Sequence, residues 1–433
     1  MAQLTDDCFA FGDALMRFDE ALELLARRID PAVGVETVPL RAADRRVLAE
    51  DVTAERDVPP HDNAAVDGYA VRHGDLDASG ETRLPLAGRA AAGHPLGGPA
   101  APGHAVRVFT GAAMPEGLDT IFMQEDCREE SADDGTVRVV LPAGLAAGAN
   151  RRKRGEDVAE GDVILTRGMR LRPQDVGLAA SVGRRTLAVH RPLRAAVFST
   201  GDEIRDPGEA APPGCVYDAN RYTLMALLDG LGCAVTDLGI LHDDAATVRA
   251  ALTEAAAAHD VIVTSGGMSV GEEDHVRAAV EALGSLHFWR LAIKPGRPIA
   301  LGRIRHGATT EGAGATTPII GLPGNPAAMM VTFLRIARPV ILRLMGAADS
   351  APHLFRVRAD FDYRKKPARR EWVRARLALD EGGGLVARKF PHAGAGILSS
   401  LVAADGLVEL PEELTRLSPG TMVDFLPFSE VVG

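Results

Sequence analysis

The sequence predicts a multidomain protein that combines a Rossmann-like, three-layer α/β domain with β-rich domains. The chain has 433 residues, of which 46% are hydrophobic, and at about 150 residues per domain it can form roughly two to four separate cores. In the middle of the chain, apolar strands alternate with helical patterns. Short β segments separated by Gly and Pro lie on both sides of that region.

The N-terminal part begins with a helix and continues as β structure. Apolar residues recur at three- and four-residue steps, which predicts an amphipathic helix from about Asp13 to Arg28. Residues 54–157 contain short β-prone runs such as YAVR, VRVFTG and TVRVVL. Because these runs are separated by Gly and Pro and show no helical period, we expect a small β-rich domain.

Residues 191–345 have the pattern of an α/β domain. Strands such as AAVFST, AVTDLGIL and VIVTSGG alternate with helical segments, which indicates βαβ units and a parallel sheet. In the helical segment NRYTLMALLDGLG, we expect Asn220 to cap the start and Gly232 to end the helix. A further helix is expected from about Pro326 to Leu344.

Residues 346–433 contain charged, alternating β segments, namely RVRADFDY, EWVRARLAL and GLVARKF, with glycine-rich turns between them. This pattern predicts a C-terminal β-barrel or sandwich.

The composition excludes several classes of protein. The formal net charge of -11 argues against a general nucleic-acid or anionic-membrane binder, so an anionic ligand must meet a concentrated site. The cysteines form no C-x-x-C pair, and we expect reduced thiols rather than a zinc site. The N-terminus MAQLTDDCFAFGD lacks a basic region before an apolar run, so we expect a cytoplasmic protein with no membrane span.

Four loops within residues 191–345 carry the groups that we expect to bind an anion. In an open parallel sheet, ligands lie at the carboxyl ends of the strands, where helix N-termini point N–H groups outward. The loops STGDEI, TSGGMSVGEED, KPGRP and GLPGNP follow strands and combine small residues with polar or charged ones. In the second loop, N–H and hydroxyl groups are expected to hold phosphate oxygens; these belong to Ser265, Gly266, Gly267 and Ser269.

The carboxylates and cations of these loops have both functional and structural interpretations. Carboxylates at the start of a helix are favoured by the helix dipole, which is the interpretation we adopt for Glu272 and Glu273, whereas Asp274 is assigned to a Mg²⁺ ion or the ligand. Lys294 and Arg297 are spaced by a Pro-Gly turn so that both can face one phosphate, although K-x-x-R also occurs as two solvated turn cations.

The loops of the β-rich domain support no function when taken alone. The Asp67-Gly68 pair is most often only a turn, and Thr110 lies in another polar loop. The run ANRRKRGEDV, which contains Asp157, is interpreted as a solvated charged linker.

Taken together, several segments resemble the molybdopterin molybdenumtransferase family, the MoeA-type enzymes that include the E domain of gephyrin. The segments are DNAAVDGYAVR, FTGAAMPEGLDTIFMQED, RRKRGEDV, FSTGDEI, YDANRY, TSGGMSVGEED, FWRLAIKPGRP and GLPGNPAAMMVTF, in this order. The resemblance implies a homodimer of four-domain subunits. Residues 191–345 would be like a molybdopterin adenylyltransferase, and residues 346–433 a β-barrel. Residues 1–53 and 158–190 would form the N-terminal helix and an elongated linking domain.

The resemblance also implies an activity. Adenylylated molybdopterin would be bound, and molybdate inserted with Mg²⁺ or a similar ion. Cleavage of the pyrophosphate bond would then release AMP. The active cleft would lie between the α/β domain of one subunit and the β-rich domain of the other. Contact with molybdopterin adenylyltransferase and with proteins that mature molybdoenzymes is expected for the same reason.

The family's functional positions fall on particular residues of this chain. The catalytic positions implied are Asp67, Thr110, Asp157, Glu203, Asp274 and Lys294. The metal ligands implied are Glu203, Asp243 and Asp274. Further substrate-binding positions are Arg290, Arg297, Pro323, Asn325, Pro326 and Arg374. We expect Arg374 and Ser269 to contact molybdate.

The chain departs from the family pattern at two positions. Arg290 stands where the family often has Lys, which keeps the charge but changes the hydrogen-bond geometry, and Ala395 stands where relatives often carry Ser. Two alternative functions remain open: a molybdopterin adenylyltransferase that makes the AMP adduct from ATP, and a non-catalytic dimeric scaffold that binds a partner peptide.

Overall fold

The structure is a computed structural model that describes residues 15–131, 135–242, 244–267, 275–296, 298–307 and 315–432, without the side chains of residues 288–290 and 298. Within these ranges, no helix combines the length and apolar character needed to cross a membrane.

The part up to residue 190 contains one six-stranded sheet and three short strand pairs. The sheet has the order β7-β4-β6-β5-β9-β8 and is the β-rich domain predicted from the short β-prone runs. Strands β1 and β12 pair antiparallel, so the chain before the sheet lies beside the chain after it. The elements are α1 (Phe18–Arg28), β1 (Val35–Pro39), β2 (Val52–Thr53), β3 (Asn63–Ala64), β4 (Gly68–Val71), β5 (Thr82–Ala90), β6 (Ala105–Val108), β7 (Thr120–Met123), β8 (Arg128–Ser131), β9 (Val137–Leu141), β10 (Arg151–Arg152), β11 (Val163–Leu165), α2 (Pro173–Ser181) and β12 (Thr186–His190).

Helix α1 begins at Phe18, later than the predicted start at Asp13. Met16 instead forms a parallel bridge with Leu291, and its carbonyl accepts a hydrogen bond from the Ala292 N–H at 2.8 Å. The backbone of Met16 is therefore committed to the α/β region and cannot belong to the helix.

Residues 191–345 form an α/β domain around a six-stranded sheet of order β16-β13-β17-β21-β20-β18. Its elements are β13 (Arg194–Thr200), β14 (Ile204–Arg205), β15 (Val216–Tyr217), α3 (Ala219–Gly230), β16 (Ala234–Leu241), α4 (Ala245–Ala258), β17 (Val261–Ser265), α5 (His275–Leu283), β18 (Gly284–Arg290), β19 (Ile293–Lys294), β20 (Pro298–His306), β21 (Ala315–Leu322), α6 (Pro326–Thr332) and α7 (Arg338–Leu344).

The predicted parallel sheet is confirmed for four strands and has an antiparallel edge that was not predicted. Strands β16, β13, β17 and β21 are parallel, but β20 pairs antiparallel with both β18 and β21. A parallel neighbour needs a crossover of about a dozen residues or more. The segment between β18 and β20 is shorter than this and contains no helix, so the chain must reverse direction.

The sheet is covered on both faces, as a three-layer domain requires. Ala195 and Val197 of β13 pack into the core that contains α3 and the helix from residue 326 to 344. Ala196 and Phe198 pack on the opposite face against α4 and α5. This alternation is expected because successive side chains of a strand point to opposite faces.

The ends of α3 correct one prediction and confirm another. Asp218, not Asn220, is the N-cap, and its Oδ1 accepts a hydrogen bond from the Arg221 N–H at 3.1 Å. Gly232 follows the helix with φ +90°, a conformation that glycine adopts without the steric cost of a side chain. Asn220 lies inside the first turn, where its side chain is available for other contacts.

The predicted helix from Pro326 to Leu344 is confirmed, with a π-helical turn at Phe333–Ala337 between α6 and α7. Asn325 occupies the N-cap position, but its side chain makes no capping hydrogen bond.

The C-terminal part is a closed barrel. Five strands pair in the ring β24-β25-β22-β28-β26, which β24 closes by pairing with β26. The short strand β19 of the α/β region adds to the outside of this ring, with Lys294 opposite Glu371. The elements are β22 (Phe355–Ala359), β23 (Tyr363–Arg364), β24 (Arg370–Leu379), β25 (Leu385–Lys389), α8 (Ser399–Val402), β26 (Gly406–Leu410), β27 (Arg416–Leu417) and β28 (Met422–Pro427).

Candidate functional site

Four turns of the α/β domain form the candidate site. We name them the Glu203 turn (residues 200–203), the Ser265 turn (residues 265–267), the Lys294 turn (residues 294–296) and the Pro323 turn (residues 323–325). The Glu203, Ser265 and Pro323 turns follow β13, β17 and β21. The Lys294 turn does not end a strand of this sheet, as the sequence suggested, because β19 belongs to the edge of the barrel.

Glycines bring the Ser265 turn into contact with its neighbours. A Cβ placed on Gly267 would overlap Thr200 Cγ2, and the residue has φ +62°. On the other side, a Cβ on Gly324 would lie 3.7 Å from Gly266 Cα. The Glu203, Ser265 and Pro323 turns therefore lie side by side, at a separation that larger residues at Gly267 would not permit.

The Lys294 turn joins the same group through Gly296. A Cβ on Gly296 would overlap Thr332 Oγ1 and would lie 3.6 Å from Pro323 Cγ. The KPG segment is thus packed on α6 and against the Pro323 turn. The structure therefore brings the described parts of all four predicted loops together, although one of them arrives from a different sheet.

A chain of hydrogen bonds connects α3 with two of the turns. Asn220 Nδ2 donates to Ser265 Oγ at 2.8 Å and to the Gly324 carbonyl at 2.7 Å. Ser265 Oγ in turn donates to the Pro323 carbonyl at 3.0 Å. Because a hydroxyl has only one hydrogen, the predicted donation from Ser265 to a phosphate oxygen is not available in this arrangement.

The N–H groups of the Ser265 turn are also partly committed. The Gly266 N–H donates to the Leu322 carbonyl at 3.0 Å, so it too is used within the protein. The Gly267 N–H has no backbone partner within the part of the chain that the structure describes. Of the predicted phosphate donors in this turn that lie within the described ranges, Gly267 is therefore the one left available.

Glu203 is an exposed acid of the site, next to the exposed Asp202. Its backbone carbonyl accepts from the Val216 N–H at 2.8 Å, which fixes the turn. Its side chain folds over Gly201, where a Cβ would lie 2.6 Å from Glu203 Oε2. Counting only the described residues, its carboxylate has no hydrogen-bond or ion-pair partner, so its oxygens are free to bind a ligand.

The support of the Glu203 turn is an ion-pair cluster centred on the buried guanidinium of Arg221. This guanidinium, 2% exposed, pairs with three carboxylates. Asp218 lies at 2.9 Å, and Asp237 and Asp206 are also in contact. Asp206 belongs to the segment that follows Glu203, and the cluster therefore fixes this segment to α3.

Sequence reasoning gave neither Asn220 nor Arg221 a role at the site. The rule that helix N-termini lie near ligands at the carboxyl ends of the strands could have pointed to both, because they follow the N-cap of α3. Their partners could not have been chosen from the sequence, since several Asp and Ser residues lie in nearby loops.

Lys294 faces a pocket that it shares with the barrel. Its Nζ lies 3.4 Å from Glu371 Oε2 and 3.4 Å from the Tyr363 hydroxyl. Tyr363 donates to the same carboxylate at 2.9 Å. Burial and the hydrogen bond to Glu371 raise the pKa of Tyr363, so the phenol keeps its proton at neutral pH. The pocket is also lined by Arg374, Lys389 and His392.

Arg374 holds the barrel loop beside this pocket. It is 5% exposed, and its Nη2 donates to the carbonyls of His392 and Gly394 at 3.2 Å each. Burial lowers the pKa of Arg374. Next in this loop, the Ala395 carbonyl accepts from the Ala327 N–H at 2.9 Å, which docks the barrel loop on the start of α6.

In the β-rich domain, Asp67 and Thr110 form a pair. Asp67 Oδ1 accepts from both the N–H and the hydroxyl of Thr110 at 2.7 Å. The backbone and side-chain hydrogen bonds from Thr110 lower the pKa of Asp67. The aspartate therefore does more than form a turn, because its charge is fixed at one place beside an exposed threonine.

The charged run around Asp157 is folded, which contradicts the prediction of a solvated linker. Residues 151–152 form β10 and pair with β3, and Arg154 pairs with Asp57. The Asp157 N–H donates to the Val58 carbonyl at 3.0 Å, and its side chain is exposed. No hydrogen bond or ion pair of the described residues joins Asp157 or Asp67 to the four turns of the same chain.

Several predicted site residues lie outside the described residues, namely Asp243, Ser269, Asp274 and Arg297. The backbone of Arg290 ends β18, but its side chain is likewise outside the description. In the described ranges, no group of three or more His, Cys, Asp or Glu residues could hold a metal ion.

The protein is of the multidomain class in which an α/β domain with glycine turns lies between a β-rich N-terminal part and a C-terminal barrel. Residues 196–343 match the family described as "Probable molybdopterin binding domain". Residues 16–183 match "MoeA N-terminal region (domain I and II)", and residues 356–428 match "MoeA C-terminal region (domain IV)".

Curated relatives identify the family. The molybdopterin molybdenumtransferase of Haemophilus influenzae is 35% identical over 422 residues, which cover 97% of this chain and 100% of that protein. Molybdopterin molybdenumtransferase 2 of Mycobacterium tuberculosis is 35% identical over 402 residues, 89% of this chain and 93% of that protein. The chain therefore belongs to the molybdopterin molybdenumtransferase family of enzymes.

Solved structures agree with this assignment. The molybdopterin biosynthesis moeA protein from Pyrococcus horikoshii OT3 superposes with a TM-score of 0.79 at 28% identity, covering 96% of this chain and 100% of that one. A second structure of a moea protein from the same species gives a TM-score of 0.72 at 30% identity, with 96% and 99% coverage.

Proposed function

We propose that this protein inserts molybdenum from molybdate into adenylylated molybdopterin, and that the reaction cleaves the pyrophosphate bond and releases AMP. The observation that carries the proposal is the meeting of two chemically different regions at the Pro323 turn. On one side lie glycine turns with Glu203, whose carboxylate has no partner among the residues that the structure describes. On the other lies the pocket with Lys294 and Arg374.

The glycine turns suit the phosphate groups of the adenylylated substrate. Phosphate oxygens are bound well by backbone N–H groups at the carboxyl ends of parallel strands. We assign this role to the Gly267 N–H and to the backbone of the Pro323 turn, since the first N–H of α6, that of Ala327, is already bonded to the Ala395 carbonyl. Ser269 and Arg297, which lie outside the described residues, remain proposed contacts.

The pocket beside Lys294 suits molybdate. This tetrahedral dianion needs cations and hydrogen-bond donors. Lys294 has a side chain that is 43% exposed, so its ammonium can reach an anion while it stays near Glu371. Arg374 and Lys389 line the same pocket. Where relatives often carry Ser, Ala395 provides no hydroxyl, and the cations must therefore contribute more of the binding.

Mg²⁺ is the proposed cofactor. The fit rests on Glu203, whose carboxylate oxygens have no partner within the described residues and are the type of ligand that Mg²⁺ prefers. Asp243 and Asp274 are the other proposed ligands. Bound there, the ion would neutralise the phosphate charge that builds up during cleavage.

We also propose that the enzyme acts as a homodimer. Asp67, Thr110 and Asp157 have no direct bond to the four turns of their own chain, and a second copy would bring them to the cleft. There the fixed negative charge of Asp67 and the exposed hydroxyl of Thr110 would close the site. Molybdopterin adenylyltransferase is the proposed source of the adduct, and proteins that mature molybdoenzymes are the proposed recipients of the product.

The decisive experiment follows AMP release from adenylylated molybdopterin by chromatography, with and without molybdate and Mg²⁺. We expect AMP only when both are present. Glu203→Gln should abolish AMP release while the adduct still binds in equilibrium dialysis. Normal turnover of this variant would reject the assignment of Glu203.

The same experiment separates the alternatives. An adenylyltransferase would consume ATP in the presence of molybdopterin, so ATP consumption is measured in parallel. Binding of the adduct without AMP release under any condition would indicate a carrier or scaffold instead of a transferase.

A further inference from the structure

We propose that Asn220 is a positioning residue that sets the separation of the Ser265 turn and the Pro323 turn, and so determines the affinity for the phosphate part of the substrate. The inference deepens the proposed function and rests on it, because it concerns the same anion site. Asn220 itself does not contact the reacting atoms in this proposal.

The two turns need a connection because the sheet stops holding them together. The ladder between β17 and β21 ends at the pair Ser265 and Leu322, and the last backbone bond is donated by Gly266 to the Leu322 carbonyl. Beyond this point, the facing residues Gly266 and Gly324 have no side chains that could bind each other. Beyond the ladder, their separation therefore depends on side-chain hydrogen bonds, one from Ser265 at the end of β17 and two from Asn220 of α3.

Asn220 supplies that connection from α3. The two hydrogens of its Nδ2 have two acceptors, Ser265 Oγ on one turn and the Gly324 carbonyl on the other. A reversed amide would place its oxygen against the Gly324 carbonyl, and two acceptors cannot bond. The orientation of the amide is thus determined by its surroundings, with one donor assigned to each turn.

Ser265 extends the connection to a third bond. Its hydroxyl accepts from Asn220 and donates to the Pro323 carbonyl at 3.0 Å. Ser265 is 7% exposed, so water competes little for these bonds. Loss of the Asn220 amide would leave the Gly324 carbonyl and the Ser265 oxygen without a donor, and the turns would be expected to move apart or admit water.

Asn220 can act as a reference point because the start of α3 is itself fixed. Asp218 caps the helix, and Arg221, the residue after Asn220, is buried among three carboxylates. One of these, Asp206, lies in the segment that follows the Glu203 turn. The first turn of α3 therefore contacts two of the four turns through Asn220 and the segment after a third through Arg221.

The test compares Asn220→Ala with a matched control, Thr223→Ala. Thr223 lies on the same helix, and its hydroxyl donates only to the Ala219 carbonyl of α3 at 2.9 Å. Both full-length variants are assayed for kcat and KM with adenylylated molybdopterin. Binding is measured by equilibrium dialysis, and hydrogen–deuterium exchange of the two turns by mass spectrometry.

For Asn220→Ala we expect KM and the dissociation constant of the adduct to rise about tenfold, since two hydrogen bonds with a small net contribution each are lost. The value of kcat should stay within about twofold, because the turns bind substrate and transition state alike. Exchange should increase in the Ser265 and Pro323 turns and not elsewhere. Thr223→Ala should change none of these quantities.

A double-mutant cycle with Ser265→Ala provides a second measurement. Because both variants break the same hydrogen bond, the double variant should raise the dissociation constant by clearly less than the product of the two single effects. Independent effects that multiply would overturn the proposed connection.

Other results would also overturn the inference. An Asn220→Ala variant that binds the adduct as tightly as the Thr223→Ala control would show that the hydrogen bonds of Asn220 have no effect on affinity. Exchange that increases throughout α3 and the sheet would indicate general destabilisation. If the protein binds the adduct but never releases AMP, the proposed function fails, yet dialysis and exchange still decide the role of Asn220.

Discussion

The two sides of the candidate site hold their functional groups in different ways. On the Glu203 side, support and function are separate. Arg221 and Asp218 are buried, Asp206 and Asp237 are partly exposed, and Glu203 has no partner within the described residues. On the Lys294 side, the functional cations are also part of the support. Lys294 contacts Glu371 and Tyr363.

This difference has consequences for mutagenesis. A carboxylate without partners can bind a ligand without breaking a hydrogen bond or ion pair within the protein. Changes to the Glu203 carboxylate should therefore alter activity and leave the free energy of unfolding unchanged. A cation shared between the protein and an anion must loosen one contact to strengthen the other. Changes on the Lys294 side should therefore affect both quantities, and four predictions test this distinction.

The largest effect is expected for Arg221→Met. Removing the guanidinium leaves three carboxylates around a buried apolar side chain, and breaking a buried ion pair costs about 3 kcal/mol or more. We expect the free energy of unfolding in urea to fall by that amount. The control is Arg27→Met, whose ion pair with Glu23 is exposed and should contribute less than about 1 kcal/mol. An equal fall in the free energy of unfolding of the two variants would show that Arg221 does not stabilise the Glu203 side.

The second prediction concerns Lys294→Met. Loss of the ammonium should raise the molybdate concentration needed for half-maximal AMP release by at least about tenfold, because a charge-assisted contact to a dianion is lost. The affinity for adenylylated molybdopterin without molybdate should change little. Lys366→Met, at an exposed lysine of the barrel region, is the matched control. If the affinity for adenylylated molybdopterin fell as much as the affinity for molybdate, the Lys294 side would not be specific for molybdate.

A smaller effect is expected for Tyr363→Phe. The phenol donates to Glu371 at 2.9 Å, and Glu371 is 1% exposed, so the loss of this bond should lower the free energy of unfolding by about 1 to 2 kcal/mol. Because Tyr363 also helps to place Lys294, the molybdate requirement should rise about threefold. A change in stability with no change in the molybdate requirement would separate support from function on this side as well.

The fold was largely predictable because its information is local. The strand and helix alternation of residues 191–345, the turn at Gly232 and the alternating barrel strands each depend on neighbouring residues. The antiparallel edge formed by β18 and β20 was missed because it depends on the absence of a helix between them. The N-cap of α3 was misplaced by two residues, from Asp218 to Asn220, since both are good capping residues.

The contacts of the candidate site were less predictable. The four loops could be recognised from glycines and charges. Asp67 and Thr110 received a role only from the family resemblance, and the hydrogen bonds between them were not predicted. The use of the Ser265 hydroxyl and the Gly266 N–H inside the protein depends on the spacing of two strands and a helix. The contacts of the Arg151 to Arg154 run were also not predictable, because its carboxylate partners Asp57 and Asp62 lie almost a hundred residues away in the sequence.

The smallest effect is expected for Thr110→Ala in the β-rich domain. Asp67 differs from Glu203 because one of its carboxylate oxygens accepts hydrogen bonds from both the N–H and the hydroxyl of Thr110. In Thr110→Ala the hydroxyl is lost but the N–H remains, and the N–H is the largest of the three causes that lower the pKa of Asp67, which are the two bonds from Thr110 and the charge of Arg107. We therefore expect its pKa to rise, yet to stay below the ordinary value of a carboxyl group. Because the pKa of Asp67 is lowered in the folded protein, its stabilisation is fully present at pH values above the pKa of the unfolded chain. The stabilisation is lost as the pH falls through the pKa of the folded protein.

An NMR titration of the Asp67 carboxyl in the wild type and the variant measures the shift. An unchanged pKa would mean that the N–H alone fixes this charge, and the two acids would then differ less than the two bonds suggest.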